Sequence, residues 1–391
     1  MLQKFTVNNF KSLVNVTYEP GVANLLLGVN SSGKTNLCQA LRFLSRLAQR
    51  REATIFHVWH GVTEQTPPDQ ARNIYFDQPT IDLGCTCELT VNDEQLTFVY
   101  SLVIRPDGPF SIETETLYVS GGAFGVETVT LLENKAGEIR LLDEDSYLQG
   151  LDLDACYQDT TMHNSATMLS LLYDKRANRR AMAFRRYLTA WQYYDLAPGC
   201  LRDDRFDSHA DVLRPDGSNL TSVLFRFKSI DKQRYQRLVE LVQSVDQRVA
   251  ALDFATVGNY IQMELVDAQG HRFNMSSISD GTLRFMALCY IVLDNARMRH
   301  PPLTIIEEAE GSLYARNLEP LFELFDLSGA GGQYIFTSHS SYFIELFGTH
   351  LDNVIVMQDQ GTHSALITPD PVQMRAYVGD TPLSEWRFKR A

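Results

Sequence analysis

The sequence predicts an α/β fold in which a parallel sheet carries a glycine-rich loop, and an antiparallel β lobe and a helical insertion interrupt the chain between the sheet's first and last strands. Three observations carry this. Gly28-Val29-Asn30-Ser31-Ser32-Gly33-Lys34-Thr35 follows the apolar run Leu25 to Leu27 and precedes Leu37, Ala40, Leu41, Leu44 and Leu47 at helical spacing. Segments rich in β-formers crowd between Thr80 and Leu132. From Ile261 onward short apolar strands alternate with helices, as a parallel sheet requires.

In chain order, Phe5-Thr6-Val7 alternates as a strand, Val22 to Leu27 leads into the loop, and the helix after it is expected to reach about Arg51. Residues 55 to 77, polar and holding Pro67-Pro68, read as a surface loop or insertion. Thr80 to Val91, Gln95 to Ile104, Ile112 to Val119 and Thr128 to Leu132 read as an antiparallel meander, parted by turns at Asn92-Asp93 and Pro106-Asp107-Gly108. Ser165 to Tyr194 and Asn219 to Val249 show helical periodicity. Thr304 to Ile306, Tyr334 to Phe336 and Val354 to Met357 read as buried strands. The expected division is a first lobe over 1–150, a helical insertion over 151–250 and a second lobe over 251–391.

With 391 residues, 44% hydrophobic and 21% charged, the chain has the composition of a globular protein with a sizeable core. Its longest apolar run, Phe285 to Leu293, is too short to cross a bilayer, and Met1-Leu2-Gln3-Lys4 opens no signal-peptide core. A cytoplasmic protein with no membrane contact is expected. The net charge of −13 opposes nucleic-acid binding by the whole surface, so any DNA contact must be local. Lys175, Arg176, Arg179, Arg180, Arg185 and Arg186 crowd into twelve residues, either as a solvated helix face or as a contact surface for a partner or nucleic acid. Cys38 and Cys289 lie in apolar helical patterns and read as core thiols; Cys85-x-Cys87 lacks the spacing of a zinc site.

The chemistry lies in four stretches. Gly28 and Gly33 allow backbone N–H groups to curl around phosphates at a helix N-terminus, with Lys34 adding a cation and Thr35 a hydroxyl for Mg²⁺. Leu303 to Ile306 end in Glu307-Glu308, where the first acid can face a metal ion and the second can polarise a water. Ser277 to Phe285 is a polar turn opening an apolar helix, with Ser279 or Asp280 as its N-cap. His339 closes a buried strand at the end where ligands gather in open α/β sheets.

GVNSSGKTN, SISDGTLRF, TIIEEAEGSLY and TSHS, in that order, resemble the ATP-binding-cassette heads of the SMC/RecF class. More closely they resemble the small defence-associated ATPases of the overcoming-lysogenization-defect, Septu and PARIS type. Asn9-Phe10-Lys11-Ser12 is similar to the family's first strand, and Arg214 to Leu220 resembles a segment common in the defence-associated branch. The resemblance spans essentially the whole chain. It implies that Gly28, Asn30, Ser32, Gly33, Lys34, Thr35 and Asn36 bind ATP and Mg²⁺. Ser279 and Gly281 would reach the nucleotide held by a second copy of the chain. It also implies that Glu308 is the catalytic base, Glu307 and Thr35 are the Mg²⁺-side groups, Gly311 to Tyr314 cross the dimer seam, and His339 is the switch histidine; Gln158 is the choice for the glutamine between the lobes. The group usually has Asp at 307 and Pro at 309, so slow hydrolysis is expected. The implied role is an ATP-driven oligomer that controls a separately encoded effector, since only about 50 residues follow His339 and no second catalytic constellation is evident. A RecF-like DNA clamp using the Lys175 to Arg186 helix is the alternative. A transporter subunit fits poorly, because its signature would carry Gly and Gln where Asp280 and Thr282 stand.

Overall fold

Alternating polarity in the first part of the chain builds an eight-stranded antiparallel sheet in the order β2-β1-β4-β5-β6-β7-β8-β9. Its strands are β1 (Leu2–Asn8), β2 (Val16–Tyr18), β4 (Ile81–Val91), β5 (Glu94–Arg105), β6 (Ser111–Ser120), β7 (Val129–Lys135), β8 (Glu138–Leu142) and β9 (Tyr157–Thr161), while β3 (Ala23–Leu27) leaves for the parallel sheet. This computed structural model describes residues 1–391 except 50–53, 64–65, 109, 204–209, 258–259, 328–331, 371 and 373–391. The expected meander is present. Asn92 and Asp93 both take positive φ, 51° and 65°, so a two-residue turn whose twist matches the strands joins β4 to β5. Leu96, Phe98, Tyr100, Leu102 and Ile104 of β5 point to the core and the residues between them point outward.

The core face of this sheet packs on α1 (Lys34–Leu47), α2 (Ile55–Thr63) and α5 (Arg179–Thr189). Helix α1 stops at Leu47, short of the expected end, and Arg51 lies outside the described residues. Helix α2 replaces the surface loop expected from residue 55. Ile55, Trp59 and Val62 recur at i, i+4 and i+7, and the histidines between them hide a buried face. The Trp59 ring sits 5.3 Å from Phe10, 5.6 Å from Phe43 and 5.6 Å from Phe110, centroid to centroid. That aromatic cluster sets the helix under the first lobe.

The second sheet runs β10 (Gln192–Tyr194), β14 (Leu303–Ile306), β15 (Gln333–Thr337), β3, β16 (Val354–Asp359) and β17 (Ser364–Ile367), parallel except for β17. Strand β10 corrects the reading of Ser165 to Tyr194 as wholly helical. Helix α5 ends at Thr189, and Tyr193 and Tyr194 then pair in register with Ile305 and Ile306. Two short helices, α3 (Glu144–Leu148) and α4 (Met168–Leu171), precede α5.

Each central strand is buried on both faces. Leu26, Ile305, Ile335 and Ile355 join the core shared with α1 and the antiparallel lobe. Leu25, Ile306, Phe336 and Val354 join a second core. That core lies against α6 (Leu220–Ile230), α7 (Lys232–Val245), α8 (Asp280–Asn295), α9 (Leu318–Leu327) and α10 (Ser341–Leu346). The expected helix over 219–249 breaks at Asp231, whose side chain accepts from Arg234 N at 3.0 Å and starts α7 afresh. A three-stranded antiparallel sheet, β11 (Ala251–Val257), β12 (Tyr260–Val266) and β13 (Arg272–Asn274), leads into α8.

Glu144 fastens α5 to the lobe. Its carboxylate accepts from Arg180 N at 2.8 Å and Ala181 N at 3.0 Å, and burial pushes its pKa from 4.5 up to about 7. A carboxyl raised on folding contributes stability below its unfolded pKa and loses it as pH climbs to the folded value; here that window is roughly 4.5 to 7 and the loss about 3 kcal/mol. Denaturant melts of wild type and Glu144→Gln should therefore converge by about that amount between pH 4.5 and 8. A constant gap would remove Glu144 as the titrating group.

Candidate nucleotide site

The glycine-rich loop springs from the carboxyl end of β3 and turns directly into α1. Its two glycines are required by space. A Cβ on Gly28 would fall 2.3 Å from Ser32 Oγ and 2.5 Å from Met357 O; one on Gly33, at φ +100°, would fall 2.4 Å from Ser364 Oγ. Gly33 is the left-handed N-cap of α1, so the first amides of the helix line the loop's floor. Lys34 folds over the loop, Nζ donating to Gly28 O at 2.7 Å and Val29 O at 3.1 Å. Asn30 and Thr35 are exposed at its rim. Asn36 donates to Ser12 Oγ at 2.7 Å, and Ser364 Oγ donates to the same hydroxyl at 2.7 Å, so β1's connection and β17 brace the loop from outside. Gly33→Ala should lower stability by about 1–3 kcal/mol, read as a drop in thermal midpoint, and weaken nucleotide binding with it.

The acids follow β14, two strands from β3. Glu307 turns inward against the Tyr193 hydroxyl and the Cys38 thiol, and Cys38 stands three residues beyond Thr35 on α1. Burial, with Asp195 adding to it, pushes the Glu307 carboxyl up, and burial pushes the Cys38 thiol well up. Glu307 Oε1 and Ser32 Oγ are buried without a hydrogen-bond partner. Two orphaned oxygens and a glycine cradle fit a bound polyphosphate with its cation.

Glu308 is exposed and holds φ +46°, a left-handed conformation that costs a non-glycine residue about 1–3 kcal/mol. Its N–H donates to Thr337 Oγ1 at 3.1 Å. Glu310 Oε1 accepts from the backbone N–H groups of His339 (2.8 Å) and Ser340 (3.0 Å). The loop after β14 is thereby tied to the end of β15, where the His339 side chain is exposed.

Ser279 and Gly281 open α8. Ser279, rather than Asp280, is the N-cap, accepting from Thr282 N at 3.1 Å. Arg202 holds the turn, Nη2 donating to Asp280 Oδ1 at 2.6 Å and Ile278 O at 2.6 Å. Gly281 sits against Ser312 O, where a Cβ would approach to 2.5 Å. Helix α8 precedes β14 and belongs to the second core, whereas α1 belongs to the first. The serine-glycine turn and the lysine loop thus lie at the same end of the parallel sheet but on its opposite faces.

Gln158 is a correction. It lies on β9, six strands from β1 and roughly 29 Å across the sheet at ordinary strand spacing, so it does not reach the lysine loop. Its position between the two predicted lobes in sequence did not place it between them in space. The cationic stretch is divided as well. Arg185 is buried on Ala48 O and Leu172 O, Arg180 pairs with Glu94 and Glu144, and Arg186 pairs with Asp174; Lys175, Arg176 and Arg179 stay exposed.

Sequence reasoning also missed a hollow of about 440 Å³ beside the loop, lined by Ser31, Asn36, Lys11, Arg72, Tyr75 and His363. Burial pulls the Lys11 amine down to about 8, and its Nζ donates to Gln39 Oε1 at 2.6 Å. The signal was the Asn9-Phe10-Lys11-Ser12 segment, which read only as part of a strand.

The fold and site together define a P-loop head with an opposed serine-glycine helix. Residues 164–345, just under half of the chain, match a family described as "AAA domain, putative AbiEii toxin, Type IV TA system". Among solved structures, an Smc head bound to the C-winged helix domain of ScpA is 11% identical, with a TM-score of 0.53 over 94% of this chain and 97% of that one. An Smc head domain with an extended coiled coil, bound to the C-terminal domain of ScpA derived from Pyrococcus furiosus, is 11% identical, with a TM-score of 0.51 over 97% and 98%. The chain therefore has the SMC-head fold. No curated protein sequence matches it. No helix among the described residues is long and apolar enough to cross a membrane.

Proposed function

We propose that this protein binds and slowly hydrolyses ATP at sites shared between two copies, and that the ATP-joined pair controls a separate effector protein, in anti-phage defence. The carrying observation is the opposition of the two phosphate-seeking elements across one sheet. Each is built to meet a triphosphate, yet the sheet separates them within one chain, so a second copy is needed to bring a serine-glycine turn over a lysine loop.

Within the shared site, the loop amides and Lys34 hold the phosphates, and the 440 Å³ hollow, in the size range of ligand clefts, receives the nucleoside. Thr35 and Glu307 would hold Mg²⁺, which supplies charge neutralisation to the phosphates when bound. Glu308 accepts the proton of the attacking water, and His339 faces the γ-phosphate end. Glu307 carries one methylene more than the usual Asp and lies inward against Cys38 and Tyr193, which favours slow turnover.

The effector role is supported by the ScpA domains bound to the Smc heads of similar fold and by the toxin–antitoxin system in the matched family's description. The commitment of Arg180, Arg185 and Arg186 to internal partners disfavours the DNA clamp. Sedimentation with and without Mg-ATP, together with phosphate release, tests the reading. A nucleotide-dependent shift to a dimer with slow release supports it; a monomer that stays monomeric with ATP bound contradicts it. Salt-dependent DNA affinity appearing only with ATP would replace the effector by nucleic acid.

A further inference from the structure

Arg284 stands one turn inside α8, only 4% exposed, and its guanidinium donates to backbone carbonyls rather than to a carboxylate. Nη1 donates to Leu196 O at 2.6 Å, and Nη2 to Glu307 O at 3.2 Å and Glu308 O at 2.5 Å. The group fills the space where a Gly311 side chain would be, 3.0 Å from that residue's Cβ position. Burial pulls the Arg284 pKa down and the nearby carboxylates of Glu310, Asp195 and Glu308 oppose that; among the described residues no carboxylate takes a hydrogen bond from the guanidinium, whose two Nη groups instead meet fixed backbone acceptors while Nε has no partner. Two of its three acceptors are the carbonyls of the strand-end acids, one of them on the residue whose backbone takes φ +46°. Thr337 Oγ1 accepts from the N–H of that same residue.

We propose that Arg284 is a positioning residue that holds Glu308 in its left-handed turn and thereby ties the general base to the serine-glycine helix of the same chain. This rests on the reading of Glu308 as the base. Ser279 and Gly281, five and three residues upstream on the same helix start, meet the neighbour's triphosphate in that reading. Arg284 passes their placement to the acid that serves the chain's own nucleotide, so the two shared sites sense each other. A planar fork is needed to meet separate carbonyls at once, and a lysine supplies only a point charge.

The test uses the full chain with Arg284→Met and Arg284→Lys, alone and in a Glu308→Gln background. Phosphate release gives kcat, mant-ATP titration gives affinity, and a thermal melt reports folding. Arg284→Met should lower kcat about 100-fold, the scale of a misplaced catalytic group, with ATP affinity held within about threefold and Arg284→Lys falling between. In the Glu308→Gln background the same change should have no further effect on the residual rate, because a group acting through Glu308 has nothing left to position. If Arg284→Met does not fold, Thr337→Val releases the other tether of Glu308 and should show the same pattern. Unchanged kcat, a kcat loss matched by an equal affinity loss, or a full additional drop in the Glu308→Gln background overturns the proposal. Failure of the underlying reading looks different: Glu308→Gln alone would then turn over at the wild-type rate.

Discussion

Glu308→Gln is expected to slow ATP hydrolysis about 1,000-fold while leaving ATP bound, so that the protein accumulates as a nucleotide-filled dimer. The substitution keeps size and hydrogen-bonding capacity but removes the basic oxygen. Glu308 is exposed at the end of β14, its N–H is tied to Thr337 Oγ1, and its side chain has no packing role to lose. Stability should therefore change little, and the effect should fall on kcat. Rapid-quench assays give the rate, and sedimentation of the same sample gives the oligomer. Wild-type turnover by this variant would take the base out of the mechanism.

Lys34→Ala should have the next largest effect, on binding. Nζ is the cation nearest the loop floor, and charge-assisted contacts to phosphate are worth about 1.5–3 kcal/mol each. A loss of about 100-fold in ATP affinity follows from one or two of them. Folding should survive, since Nζ donates to Gly28 O and Val29 O of a loop whose shape is set by its glycines. Titration with mant-ATP checks this directly; an unchanged affinity would mean the phosphates sit elsewhere.

The strands and the lysine loop were legible because they rest on local rules. Period-two alternation, the Asn92-Asp93 turn and the Gly33 N-cap each need only a few consecutive residues. What sequence missed depends on long-range contact. Helix α2 is fixed by Phe10, Phe43 and Phe110 around Trp59, none of which its own composition reveals. Strand β10 is fixed by its pairing with β14, more than a hundred residues away. Gln158 failed for the same reason: its place between lobes in the chain says nothing about the five strands that separate β9 from β1. The cationic cluster looked uniform because charge is visible in sequence and burial is not; Arg180 and Arg185 proved to be core staples. The left-handed Glu308 and the Arg284 fork that grips it have no sequence signal apart from the motif each belongs to.

The most direct measurement mixes two inactive proteins. Lys34→Ala chains, assayed at an ATP concentration too low to fill their weakened loop, keep an intact serine-glycine turn; Ser279→Arg chains hold ATP but cannot close a neighbour's site. If nucleotide is clasped between copies, a mixed pair rebuilds one complete site, and an equimolar mixture should recover up to about a quarter of wild-type hydrolysis, since half the pairs are mixed and each has one working site. No recovery at any ratio, with both proteins folded and each inactive alone, would contradict the shared site.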